Sequence, residues 1–146
     1  MTFRLKALLL AALTPLFAMS DAHAQEFRAG QVWSYHTRPN EVGSTLLIDK
    51  VESDAKLGSI YHISVTGVKV KNPRAPDGAT RELPHFPVSR KALEDSVVKL
   101  MGNAAPNPKY LEGYATWKQA FDAGNAGIFT IPVAEIVDFI EKTLNQ

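Results

Sequence analysis

Apolar and polar residues alternate along most of the first half of the chain, the pattern of β-strands with one buried face. The longest alternating stretch is 59–71, where Tyr61, Ile63 and Val65 make one face apolar. Gly67 inside this stretch predicts a bulge or a bend. Turn residues separate the stretches from one another. The pattern predicts four strands, at 30–38, 44–52, 59–71 and 80–86.

The apolar spacing changes to that of helices after residue 88. Ser89 is a good N-cap for a helix over 90–101, and Gly102 is a stop signal. A second helix is predicted at 111–123, a short strand at 127–131 and a last helix from about Pro132. Strands followed by helices indicate an α+β fold, with an antiparallel sheet of about four strands and about three helices on one of its faces.

The first 24 residues have the three parts of a secretory signal. Arg4 and Lys6 precede a charge-free apolar run at 7–19, and Ala22-His23-Ala24 is a small-x-small cleavage pattern. The run is too short for a membrane span, which needs about 20 apolar residues. We therefore expect cleavage after Ala24, no membrane insertion afterwards, and a single domain over 25–146 in a bacterial periplasm or outside the cell.

Charge and cysteine content exclude several function classes. Fourteen basic and fourteen acidic residues follow residue 24, so the balance does not favour a nucleic-acid or anionic-membrane binder. The sequence has no cysteine, which excludes disulfides, thiolate metal sites, lipoprotein attachment and a cysteine nucleophile. No cofactor is predicted.

The histidines do not form a recognisable catalytic or metal motif. His36, His62 and His85 have no partner at the short spacings that usually supply two metal ligands, and the sequence has no G-x-S-x-G or H-E-x-x-H motif. The simplest interpretation of His62 is a half-buried strand residue. We predict no catalytic residue and no metal site.

Aromatic residues are the most suggestive feature. The spacing of Tyr110, Tyr114, Trp117 and Phe121 makes one stripe on the second helix. That stripe is either core packing against the sheet or a partly open groove for a hydrophobic or cyclic ligand or a partner's anchor. The candidate binding residues are Trp33, Tyr35, His36, Arg38, Tyr114 and Trp117.

The segments at 30–35, 85–89 and 112–117 resemble a family of small exported bacterial proteins with no known activity. The resemblance implies no site. Our leading hypothesis is a non-catalytic periplasmic binding or protein-interaction domain for a small ligand or a protein partner. The alternatives are an immunity or inhibitor protein acting on a periplasmic enzyme, and a small hydrolase that uses a histidine and a carboxylate joined by the fold.

Overall fold

A computed structural model describes residues 25–146, and the predicted signal lies outside them. These residues form an antiparallel sheet of five strands in the order β4-β3-β2-β1-β5, with three helices, so the predicted α+β class is confirmed. The strands are β1 Gln31–Tyr35, β2 Thr45–Asp54, β3 Gly58–Lys71, β4 Ala79–Ser89 and β5 Val97–Asn103. The helices are α1 Arg90–Glu94, α2 Tyr110–Asp122 and α3 Val133–Leu144.

The predicted helix over 90–101 is wrong, and this explains why the sheet has five strands rather than four. Ser89 does cap a helix, since its side chain accepts a hydrogen bond from the Ala92 amide. That helix ends at Glu94, and the chain then pairs with β1, placing Val97 opposite Tyr35 and Leu100 opposite Trp33. Pairing with an open sheet edge satisfies a row of backbone groups, which here outweighs the helical spacing of the apolar residues.

Strand β3 contains the predicted irregularity at Gly67. The pairing of β3 with β4 shifts between Thr66 and Val70, and Gly67 has a φ of 80°, which glycine adopts without strain. The shift changes which side chains face the main core. Val68 and Val70 therefore join Ile63 and Val65 there, whereas strict alternation would place them on the face of His62.

The helices cover both faces of the sheet rather than one. Helix α3 buries Val133, Ile136 and Val137 against the larger core, which includes Ile48 and Ile63. Helix α2 lies on the opposite face, where its Trp117 contacts His62. We call these the core face and the second face of the sheet. Helix α2 begins and ends within one residue of its predicted bounds, and α3 begins one residue after the predicted start at Pro132.

The predicted strand at 127–131 is reduced to one parallel bridge, between Phe129 and Val88. Phe129 donates its amide to the Pro87 carbonyl and accepts from the Ser89 amide. This bridge covers one end of the outer edge of β4.

Arg38 joins the turn after β1 to helix α3. Its guanidinium makes two hydrogen bonds to Glu41, at 2.8 and 2.9 Å, and ion pairs with Asp138 and Glu141. Glu41 is 2% exposed. Burial by itself would raise the pKa of Glu41, but the bonds from Arg38 and the Lys69 amide hold it below its ordinary value.

Replacing Arg38 with alanine should lower the free energy of unfolding by about 3 kcal/mol, because Glu41 would be left buried without its cation. Urea unfolding at neutral pH measures this loss. Arg28→Ala is the matched control, since Arg28 pairs with Glu26 at the surface and should change the midpoint little. Equal midpoints for the two variants would contradict the structural role of Arg38.

Gly113 allows α2 to lie close to β4. A Cβ atom at position 113 would be 2.9 Å from the Cβ of His85, a contact that requires one of the two elements to move. Helix propensity alone favours alanine over glycine by about 1 kcal/mol. Close packing against His85 should reverse that preference.

We expect Gly113→Ala to destabilise the protein by about 1–2 kcal/mol through overpacking. Thr116→Ala, at an exposed position of the same helix, should instead be neutral or slightly stabilising. Thermal unfolding of the two variants shows directly whether each substitution raises or lowers the stability of the protein. A more stable Gly113→Ala variant would show that α2 does not pack against His85 as described.

Candidate functional site

The six predicted binding residues do not form one surface. Trp33 and Tyr35 are 4% and 5% exposed and belong to the core face, where Trp33 packs against Phe27. Arg38 is occupied by its ion pairs, and His36 is exposed beyond the end of β1. Tyr114 and Trp117 lie together on α2, over the second face. The candidate site is therefore built around this last pair.

Helix α2 carries the predicted aromatic stripe. Tyr110, Tyr114, Trp117 and Phe121 contact one another in series, with ring centroids 6.2, 6.0 and 4.6 Å apart. Trp117 is 9% exposed and Tyr114 is half-buried, so the stripe is largely packed against the sheet. Part of it remains accessible at the edge of β4.

Polar contacts hold the start of α2 against the sheet. Asn107 donates its backbone amide to the buried carboxylate of Asp49 at 2.7 Å, and its side chain donates to Glu82. Lys109 also contacts Glu82, at 2.8 Å. Burial raises the pKa of Asp49 despite the hydrogen bonds that it accepts from Asn107 and Ser64. These bonds connect the loop before α2 to both β2 and β4.

Two histidines are paired beneath α2. The Nδ1 atom of His62 is 3.0 Å from the Nε2 atom of His85, and the two rings are stacked with centroids 5.2 Å apart. Tyr114 and Trp117 each present a ring 4.8 Å from the His62 ring. His62 is completely buried, whereas the sequence predicted a half-buried residue.

Sequence reasoning missed this pair because its members are distant in the chain. His62 lies opposite Pro87 in the β3–β4 pairing, and alternation along β4 places His85, two residues before Pro87, on the same face. The only signal in the sequence is that both histidines occupy neighbouring predicted strands. That signal does not specify register, which determines whether the two rings meet.

Glu52 completes the cluster on β2. Tyr114 donates its hydroxyl to Glu52 at 2.8 Å, and the other oxygen of Glu52 is 3.4 Å from Nε2 of His62. The ammonium of Lys50 lies 5.4 Å from the centroid of the Tyr114 ring. Burial, reinforced by the hydrogen bond to Glu52, raises the pKa of Tyr114 to about 12.

Burial also controls the charge of the two imidazoles. It lowers the pKa of His62, against the opposing effect of Glu52. Burial, together with the neighbouring His62, lowers the pKa of His85 to about 4. Both rings are therefore neutral at neutral pH, and one N–H donates to the other nitrogen.

The cluster brings a histidine nitrogen to 3.4 Å from a carboxylate oxygen, but it is closed. His62 is 0% exposed, so its ring cannot contact a substrate while α2 lies over it. Within residues 25–146, no three histidine, aspartate or glutamate side chains converge as a metal ion requires.

An open cavity of about 300 Å³ lies beside the cluster, at the edge of β4. Its lining consists of Pro87, Trp117, Gly127, Ile128 and Phe129. The indole N–H of Trp117 donates to the Gly127 carbonyl at 2.8 Å. The indole ring is thus held in place by the segment that forms the opposite wall.

Apolar surface continues from the cavity onto α3. The Phe129 ring is 5.9 Å from the ring of Phe139, which is 54% exposed. Ile131, 38% exposed, lies on the same connecting segment. The sequence did not indicate this surface, because it combines a loop with two helices that are separated along the chain.

No helix within residues 25–146 is long and apolar enough to cross a membrane. No known protein family, curated protein or solved structure matches the chain.

Proposed function

We propose that this protein is a non-catalytic binding domain of the bacterial periplasm, and that the cavity beside Trp117 is its binding site. The observation that carries the proposal is an open, mostly apolar cavity with an immobilised indole ring in its wall. Its volume of about 300 Å³ lies at the lower end of the range for small-molecule sites.

The lining indicates the chemical class of the ligand. The five lining residues include no charged side chain, and the indole N–H already has an acceptor. A bound molecule would therefore gain mainly from apolar contact with Trp117, Pro87 and Phe129. We infer a small, neutral ligand with a flat or cyclic apolar body.

Binding is better supported than hydrolysis. A general base must come within hydrogen-bond reach of its substrate, directly or through one water molecule. His62 has the carboxylate neighbour that a histidine base uses, but the ring is completely buried. The cavity, by contrast, is open to a ligand without any rearrangement of α2.

An inhibitor of a periplasmic enzyme is the second candidate. The exposed side chains of Phe139 and Ile131 extend the apolar surface beyond the cavity. In that case the cavity would receive an apolar anchor from the partner, and these two residues would form part of the surrounding contact.

The emission of Trp117 tests the small-ligand proposal. The chain has two tryptophans, so a Trp33→Phe variant reports on Trp117 alone. Titration with cyclohexanol and with p-cresol should give a saturable change in emission. Ile128→Phe, which adds bulk to the cavity wall, should weaken binding about tenfold or more, because the added ring occupies volume that the probe needs.

Ile131→Phe is the matched control, since Ile131 follows the same segment but does not line the cavity. Its affinity for both probes should equal that of the parent variant. A lack of saturation with either probe, or equal affinities for the Ile128 and Ile131 variants, would contradict a small-ligand site in this cavity.

Export is tested separately. Full-length protein made in a Gram-negative host should be recovered in the periplasmic fraction, with the mass of a chain that begins at Gln25. Replacing Ala22 and Ala24 with leucine should block processing, because the peptidase accepts only small side chains at these positions. Recovery of the unprocessed parent chain in the cytoplasmic fraction would contradict the assignment.

A further inference from the structure

The hydrogen bond between His62 and His85 depends on at least one ring having an unprotonated nitrogen at the contact. At 3.0 Å, one ring nitrogen must donate and the other must accept. If both rings are protonated, two N–H groups face each other and two positive charges are stacked 5.2 Å apart. The second proton is therefore incompatible with this contact.

The surroundings leave the rings little room to separate. Position 113 of α2 lies so close that an added Cβ would be 3.2 Å from both Cγ and Nδ1 of His85. Tyr114 and Trp117 close the other side of His62. His85 is partly exposed, but His62 is completely buried and reaches water only if α2 moves away from the second face.

The charges around the pair do not offset two imidazolium ions. Glu52 of β2 favours protonation of His62, but it also accepts the Tyr114 hydroxyl. Lys50 of β2 and Lys118 of α2 both oppose protonation of His62. On β3 and β4, the titratable groups at the contact are the two histidines themselves. The first turn of α2, which touches His85, adds the positive end of the helix dipole.

The direction of the pH effect follows from proton linkage. The pKa values of both histidines are lowered in the closed structure, so below about pH 6.5 exposed histidines bind protons that the closed pair does not. Acid therefore favours the state in which the rings are in water. Each proton taken up on opening changes the opening equilibrium by up to about tenfold per pH unit.

We propose that α2 is an acid-sensitive cover: protonation of the His62–His85 pair releases α2 from the second face of the sheet. Trp117 moves with α2, so release removes one wall of the cavity and expels its ligand. The ligand step rests on the function proposed above, whereas the release of α2 does not. The core face, with α3, remains folded.

Hydrogen exchange tests the cover directly. Protection factors, which correct for the intrinsic pH dependence of exchange, are measured for α2 and for the paired strands β2 and β3 between about pH 7.5 and about pH 4.5. In the unmodified protein, the protection factors of α2 should fall by more than tenfold, and by up to about 100-fold, per pH unit in the range where opening takes up both protons. The strands should keep their protection over the same range.

Substitutions distinguish the pair from general acid destabilisation. His85→Gln can still hydrogen-bond to His62 but does not titrate, so its α2 protection should fall by at most about tenfold per pH unit. His36→Gln removes an exposed histidine outside the cluster and should leave the pH profile unchanged. If His85→Gln is not folded at neutral pH by near-ultraviolet circular dichroism, His62→Gln provides the same comparison.

Two results would overturn the proposal: a parent-like pH profile in the folded glutamine variant, or simultaneous loss of protection in α2 and in β2–β3. The affinity for p-cresol, measured across the same range, should fall in parallel with α2 protection. If p-cresol does not bind even at about pH 7.5, the proposed binding function fails, and the exchange data still decide whether α2 is a cover.

Discussion

Burial of strand β3 on both faces is the constraint on which the rest of this structure depends. Tyr61, Ile63 and Val65 face the larger core under α3, and the alternating residues His62 and Ser64 are equally buried on the second face. A polar side chain buried in this way must find a partner within the protein, because it has lost its hydrogen bonds to water. The position of α2 therefore creates the need for the His62–His85 contact.

The two faces differ in the kind of interaction that holds them. The core face is a continuous apolar cluster, with the ion pairs of Arg38 to Glu41 and α3 at its edge. The second face is held by hydrogen bonds among titratable groups and by the aromatic contacts of α2. Parts of a protein with few buried apolar contacts open at a lower free energy than its core. The cavity beside Trp117 lies against this second layer, so its shape depends on the position of α2.

The parts of the candidate site that could be predicted from the sequence are those that depend on local spacing along the chain. The spacing of Tyr114 and Trp117 on a helix indicated an aromatic stripe, because helical periodicity is a local property. Trp33 and Tyr35 are the same residue types and were predicted to share the binding surface, yet they lie in the core under α3. Residue type does not determine which face of a sheet a strand residue occupies, and a one-residue shift in register moves the residue to the other face. The cavity wall at 127–129 and the partner of His62 depended on the same non-local information.

By itself, the sequence determined the α+β class, the first four strands, the second and last helices, the cap at Ser89 and the irregularity at Gly67. These features depend on periodicity and on the backbone preferences of individual residues, which act over a few positions. The tertiary structure decided that 97–103 is a strand, since its backbone pairs with β1 across more than sixty residues of chain. It also decided that α2 and α3 lie on opposite faces and that two distant histidines form a hydrogen bond. Each of these outcomes depends on strand register and on burial, and neither is a property of any short segment.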